Sequence, residues 1–215
     1  TARWLAGSYR VLSLDLRNHG RSPHRNRMDY PAMADDLREF MGRCSLERAV
    51  LLGHSMGSFL ARTYLIRYPG TVDAAIIMGT GWQPEMTIRG GLLLAGILSG
   101  LKGPDAVSKM VTNMAFGAYN KAFGDKPRTP NDWLSADTDN VDRYMADPLC
   151  GADATVGLFR QMLHGIRFNQ RQSHLRQMDR EMPVLFVAGD KDPVARATFG
   201  IAAAKRQIYL RESYQ

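Results

Sequence analysis

The sequence predicts an α/β protein with a mostly parallel sheet, helices on both faces of that sheet and an inserted helical cap. Three observations lead to this fold class. Apolar runs of strand length alternate with helical patterns over residues 1–82, and that alternation builds a parallel sheet. Residues 83–182 show helical patterns but no evident strand, and the strand pattern resumes over residues 183–215. We therefore expect residues 1–82 and 183–215 to form the core and residues 83–182 to form the cap.

The composition is typical of a globular protein without membrane spans. With 215 residues, 45% hydrophobic and 23% charged, the chain has the make-up of an ordinary globular protein. Its longest apolar run, residues 92–98, is far shorter than the ~20 residues of a membrane span, and the first residues lack a signal-peptide pattern. Cys44 and Cys150 form no disulfide framework, so we expect two buried thiols and a reduced, cytoplasmic setting.

Charge gives a further expectation about partners. The net charge of +7 suits contact with an anionic lipid surface. Lysines and arginines are scattered and are not interleaved with aromatic residues, so we expect no nucleic-acid binding. The oligomeric state is left open.

The first elements are predicted to be a strand, a loop and a helix. Residues Tyr9–Leu14 have a strand pattern, and the polar residues 15–22 that follow are turn-prone. Pro31 stands at an expected first helical position. Apolar residues then recur at helical spacing, namely Met33, Leu37, Phe40 and Met41.

Residues 49–68 carry the strongest functional signal. A short apolar run, residues 49–52, precedes Gly53-His54-Ser55-Met56-Gly57, and a helical pattern follows with Phe59, Leu60, Tyr64 and Leu65 on one face. Strand, G-x-S-x-G and helix in this order are the context of a nucleophile elbow, in which the glycines leave room for a tight turn. We interpret Ser55 as a nucleophile; the alternative is a glycine-rich turn with no catalytic role.

The rest of the chain continues the alternation and then interrupts it. Residues Val72–Met78 are predicted to form a buried strand, as are Pro183–Ala188, and Ile208–Leu210 a last weak one. Between them, one helix is predicted from Pro104 with Val107, Met110, Val111, Met114 and Ala115 on one face. Another is predicted from Asp153 with Val156, Phe159, Met162, Leu163 and Ile166 aligned. Such methionine-rich faces either belong to the core or line an adaptable apolar pocket.

Four segments resemble the α/β-hydrolase fold and, within it, lysophospholipase and monoacylglycerol-lipase-like serine hydrolases. They are LDLRNHGRS at 14–22, LLGHSMGS at 51–58, DRYMADPLCG at 142–151 and VAGDKDPV at 187–194. The stretch DYPAMADDLREFM at 29–41 is more similar to an acyl-esterase and thioesterase branch of the same fold. Together the segments span nearly the whole chain, and the last two of the four are more specific than G-x-S-x-G alone.

The resemblance implies roles for individual residues. Ser55 would attack an ester carbonyl, and the backbone N–H of Met56 would contribute to the oxyanion hole. Asp192 would be the catalytic acid, and Pro193 supports this choice because it restrains Asp192 to an extended conformation. Asp190 is the alternative acid, or else a turn-stabilising residue. The resemblance implies no metal and no cofactor.

Two parts of the family's site are not in the printed sequence. The family's base histidine should follow Asp192, and its His-Gly loop, which donates the second oxyanion N–H, should precede residues 9–14 by more residues than are present. We therefore expect the printed sequence to be part of a longer hydrolase. We expect none of its five histidines to replace that base: His19, His24, His54, His164 and His174.

The predicted function is hydrolysis of fatty-acyl esters, such as monoacylglycerols or lysophospholipids, through an acyl-serine intermediate. A thioesterase or small-ester carboxylesterase is the alternative among enzymes, favoured by residues 29–41. A catalytically inactive binding protein of the same fold is the alternative outside enzymes, favoured by the absent histidine.

Overall fold

The computed structural model describes residues 5–120, 128–151, 153–189 and 192–194. Its elements in chain order are α1 Tyr30–Arg43, β1 Val50–His54, α2 Met56–Arg67, β2 Ala74–Met78, α3 Glu85–Lys102, α4 Lys109–Phe116, a 3₁₀ turn Asp132–Leu134, α5 Thr138–Ala146, α6 Val156–Gln170, α7 Gln172–Leu175 and β3 Val184–Val187. The predicted strand Ile208–Leu210 lies outside the described residues, as does Asp190.

The three described strands form one parallel sheet in the order β1-β2-β3. This confirms the strands predicted at 49–52, 72–78 and 183–188. Ala75 and Ile77 of the central strand are buried on the face toward α2. In the described part of the chain the opposite face is largely exposed, at Val50, Leu52, Leu185 and Val187.

The strand predicted at Tyr9–Leu14 is wrong for this structure. The segment has no strand hydrogen bonds, and both Leu12 and Leu14 are exposed. A strand is stable only beside a hydrogen-bonded neighbour, and none of the three described strands pairs with this segment. Its alternating apolar pattern therefore has no ladder to join.

The loop after this segment is ordered by its own polar groups. The guanidinium of Arg17 donates two hydrogen bonds of 2.6 Å to the carboxylate of Asp36 on α1. The carboxylate of Asp15 accepts from the N–H of Arg21 at 3.1 Å, and the backbone carbonyl of Asp15 accepts from the hydroxyl of Ser22 at 2.6 Å. The LDLRNHGRS motif thus ties the loop to the first helix.

Helix α1 begins as predicted. Asp29 is its N-cap and accepts a hydrogen bond from the N–H of Ala32 at 2.8 Å, and Pro31 lies in the first turn. Met33, Leu37 and Met41 are buried, so the predicted apolar face is the face that packs against α2.

Helix α2 is more deeply buried than the sequence predicts. Nine of its twelve residues are buried, not only the face that carries Phe59 and Tyr64. The helix lies among the sheet, α1 and α6, all of which contact it. A helix enclosed on several sides needs no amphipathic pattern.

Two helices of the inserted segment join the same hydrophobic core. Helix α6 packs against α2, and α3 packs against α6. Gly91 makes this second contact close, because a Cβ there would lie 2.6 Å from a methyl carbon of Leu163. At 18 residues α3 is the longest of the described helices, and none of them is long and apolar enough to cross a membrane.

The starts of two predicted helices are wrong by a few residues. Helix α4 begins at Lys109 and not at Pro104, because the chain from Pro104 to Val107 pairs with the residues that begin α6. Helix α6 begins at Val156 and not at Asp153, because the hydroxyl of Thr155 caps it by accepting from the N–H of Leu158.

The two cysteines are free thiols, but neither is fully buried. Cys44 at the end of α1 and Cys150 after α5 are both half-buried, which corrects the predicted burial. Desolvation and the nearby carboxylate of Asp147 raise the pKa of the Cys150 thiol.

Candidate active site

Ser55 occupies a strained turn between β1 and α2. Its backbone has φ 51° and ψ −120°, a region that non-glycine residues rarely adopt, and its side chain is exposed. The N–H of Ser55 donates to the carbonyl of Met78 at 3.0 Å, and the carbonyl of Ser55 accepts from the N–H and the hydroxyl of Ser58 at 2.9 and 2.5 Å. Bonds to β2 and α2 thus hold the strained residue in place.

The two glycines of the motif are not equivalent. A Cβ on Gly53 would collide with the carbonyl oxygen of Gly57 and lie 2.8 Å from the Cβ of Ala61. A Cβ on Gly57 would meet nothing within 4 Å. The expected lack of room therefore holds at Gly53 only.

Replacing Gly53 with alanine is expected to lower the free energy of unfolding by about 1–3 kcal/mol, because the added methyl group collides with backbone atoms. Gly57→Ala is the matched control, since it adds the same methyl group to open space and should leave stability unchanged or slightly raised. Denaturant unfolding of the two variants measures both effects. Equal stability of the two variants would contradict the close contact at Gly53.

The backbone N–H of Met56 is suited to bind an oxyanion. Met56 is the first residue of α2, and the first N–H groups of a helix have no intrahelical acceptor. The positive end of the helix dipole lies at the same place. The oxyanion role of Met56 stays a prediction that this arrangement supports.

Asp192 lies just beyond the end of β3. Its N–H donates to the carbonyl of Gly189 at 3.1 Å, which forms a turn. Its Oδ1 accepts from the N–H of Val194 at 2.8 Å, so one carboxylate oxygen is fixed by the backbone. The turn places the half-buried carboxylate at the carboxyl end of the sheet.

Gly79 lies between His54, which precedes Ser55 in the elbow, and Asp192. It follows β2, has φ +55°, and its N–H donates to the carbonyl of Val187 at 2.9 Å. A Cβ on Gly79 would lie 3.6 Å from Nε2 of His54 and 3.7 Å from Oδ2 of Asp192. The ends of three adjacent strands therefore bring Asp192 and the elbow to one place. Gly79 could not be singled out from its sequence context, because its importance depends on contacts across the sheet.

A buried arginine, Arg62, binds the residues that follow Gly79. Arg62 on α2 is 5% exposed, and its guanidinium donates to the hydroxyl of Thr80 at 3.3 Å, the carbonyl of Gly81 at 3.2 Å and the carbonyl of Asn169 at 3.3 Å. Asn169 lies at the end of α6, where the helix dipole is negative. Backbone dipoles thus stabilise the buried charge and link the turn after Gly79 to both helices.

The model for the family described as serine aminopeptidase, S33, matches residues 1–209. The chain belongs to this family. The strand-to-helix turn at Ser55 and the parallel sheet are consistent with this family.

Several proteins that are similar to this chain are named as lipases or esterases. It is 38% identical over 78 residues to an sn-1-specific diacylglycerol lipase, ABHD11, of Danio rerio, a match that covers 36% of this chain and 24% of the relative. A carboxyl esterase from Bacillus coagulans has a similar structure, with a TM-score of 0.71 and 21% identity, over 86% of this chain and 61% of that one. A monoacylglycerol lipase from Paleococcus ferrophilus has a TM-score of 0.56 and 17% identity, over 85% of this chain and 66% of that one. The match thus spans about a quarter of the curated relative.

These similarities confirm the predicted α/β-hydrolase fold. They leave the roles of Ser55, Met56 and Asp192 as predictions, which the described geometry supports.

Two histidines contact nearby backbone carbonyls through a ring nitrogen. Nδ1 of His19 lies 3.0 Å from the carbonyl oxygen of Arg17, and Nδ1 of His174 lies 2.9 Å from the carbonyl oxygen of Phe168. The base histidine expected after Asp192 stays a prediction. Within the described ranges, no three His, Cys, Asp or Glu side chains come together as a metal-binding group.

Proposed function

We propose that this chain carries the nucleophile and the acid of a serine ester hydrolase that cleaves fatty-acyl esters of the monoacylglycerol or lysophospholipid type. One observation carries the proposal. Ser55 is exposed at a strained strand-to-helix turn, and the carboxylate of Asp192 lies at the end of the same parallel sheet.

The proposed reaction has two steps. Oγ of Ser55 attacks the ester carbonyl carbon while its proton passes to a histidine base. The N–H of Met56 stabilises the negative oxygen, the ester C–O bond breaks, and the alcohol leaves with that proton. Water then attacks the acyl-serine, and the free acid departs. Asp192 orients the base in both steps.

We further propose that residues 83–182 form a cap over this site. Three aromatic rings of this segment pack together, with centroids 5.9 Å apart for Phe116 and Trp133 and 5.1 Å apart for Tyr119 and Trp133. Desolvation, and then the negative charge of Asp192, raise the pKa of Tyr119. The charge of Asp192 thus acts on Tyr119, which supports a position of this aromatic cluster near the acid.

Met110 and Met114 are candidates for the acyl pocket. Both are exposed, whereas Val111 of the same helix is completely buried. Shortening an exposed methionine leaves no core cavity, so the alternative that these two residues are ordinary core loses its support.

Replacing Met110 or Met114 with alanine is expected to shift chain-length preference and to change the melting temperature by no more than a few degrees. Each methylene that the pocket binds contributes roughly 0.8 kcal/mol, so loss of pocket wall should lower kcat/KM for long esters and spare short ones. Val111→Ala is the control that should destabilise the protein. An unchanged chain-length profile in both methionine variants would end the pocket assignment.

The substrate class is tested with a panel of acyl donors on the full-length protein. The panel contains p-nitrophenyl esters of increasing chain length, acyl-thioesters and amino-acid p-nitroanilides, and kcat/KM is measured for each. A preference for long esters supports the proposal. A preference for thioesters or for acetyl esters would select the thioesterase or small-ester alternative, and cleavage of anilides alone would select the peptidase that the family description names.

We also propose contact with an anionic lipid surface. Helix α3 carries an exposed apolar stripe, Met86, Leu93, Ile97 and Leu101, and the exposed side chains of Arg89 and Lys102 lie on the same helix. An apolar stripe beside cations is the pattern of a helix that lies on a membrane surface. Sedimentation with phosphatidylglycerol vesicles, but not with phosphatidylcholine vesicles, is the expected result, and Leu93→Glu should abolish it. Equal recovery with both vesicles would contradict this contact.

A further inference from the structure

A cavity of about 270 Å³ lies between the start of α1 and the second half of α6. Its walls include His164, Arg167 and Arg171 on one side and Tyr30 and Pro31 on the other. We propose that this basic cleft binds a small anion, a carboxylate or a phosphate, on Arg171, Arg167 and His164. The proposal does not depend on the hydrolysis proposed above.

The three basic residues lie on one side of the helix end. His164 and Arg167 are three residues apart on α6, and Arg171 follows four residues later, directly after the last residue of the helix. Residues three or four apart lie next to each other on a helix surface. Their side chains therefore converge on the same wall.

The side-chain charges that line the cleft are positive on balance, with Arg167 and Arg171 against Asp29. Asp29 also lines it, but its carboxylate already accepts from Arg27 at 2.5 Å and from the N–H of Ala32 at 2.8 Å. Arg167 pairs with Glu85 at 2.6 Å, and Glu85 also binds Arg89. The guanidinium of Arg171 has no hydrogen-bond or ion-pair partner in the described part of the chain.

The imidazole of His164 is partly desolvated and lies near two arginines. Desolvation, then the charges of Arg160 and Arg167, lower its pKa. The lowered pKa favours the neutral ring, which can donate one N–H to an anion. An anion bound beside it would favour the protonated ring and would raise its pKa.

The cleft also has apolar surface that suits the carbon part of a small organic anion. The ring of Phe168 lines the cleft and is held by His174, with ring centroids 4.1 Å apart. Tyr30 is 2% exposed and lies against Gly165, and its hydroxyl has no hydrogen-bond partner among the described residues.

The test follows the His164 imidazole by NMR in the full-length protein. Inorganic phosphate and hexanoate are titrated separately at constant ionic strength, and the pKa of His164 is measured with and without each. We expect saturable shifts at His164 and Phe168 and a raised pKa of His164 with at least one probe. Saturation by phosphate alone assigns a phosphate site, and saturation by hexanoate alone or by both assigns a carboxylate site.

Two variants separate a site from general charge attraction. Arg171→Gln should weaken binding by about ten-fold, because it removes a charged hydrogen-bond donor. Arg48→Gln removes one exposed arginine that does not line the cleft, and it should leave binding unchanged. Shifts that do not saturate, an unchanged pKa of His164, or equal losses in both variants would overturn the proposal.

Discussion

Replacing Ser55 with alanine is expected to abolish ester turnover, with a loss of at least ~10⁴-fold in kcat, because no other group forms the acyl intermediate. The melting temperature should stay within a few degrees, because the side chain is exposed and makes little core contact. Steady-state kinetics and thermal unfolding of the same preparation measure both effects.

Ser45→Ala is the matched control for this variant. Ser45 is also an exposed serine with a positive φ, 48°, but it lies in the turn after α1. It should leave kcat unchanged. If Ser55→Ala kept most of the activity, the elbow would be only a glycine-rich turn.

Replacing Asp192 with asparagine is expected to lower kcat by about 10⁴-fold, by analogy with other triads in which a neutralised aspartate no longer orients the base. The substitution keeps the size of the side chain, and its Oδ1 can still accept from the N–H of Val194. The fold should therefore be preserved, which circular dichroism and the melting temperature check.

Asp190→Asn is the comparison for the acid. It should lower kcat far less, because the turn ending at Asp192 already places that carboxylate beside Gly79. The reverse ranking of the two variants would assign the acid to Asp190.

The elbow, the strand before it and the helix after it could be predicted because their signals are local. A short apolar run, a G-x-S-x-G turn and a helical pattern follow one another within residues 49–68, and the structure forms each element there. The N-cap of α1 at Asp29 and the proline of its first turn are equally local signals.

Features that depend on distant residues could not be predicted. Residues Tyr9–Leu14 have the composition of a strand, but a strand forms only where a neighbour is available. Gly79 matters because β1 and β3 bring His54 and Asp192 beside it, and Arg62 matters because Asn169 lies at the end of a helix more than a hundred residues later. Neither contact leaves a pattern in the sequence.

Activity-based labelling tests the role of Ser55 most directly. The full-length protein is treated with a fluorophosphonate probe, digested, and the modified peptide is identified by mass spectrometry. We expect one modified residue, Ser55, and no labelling of Ser55→Ala. Labelling at another serine, or no labelling of the folded full-length protein, would contradict the assignment of Ser55 as the nucleophile.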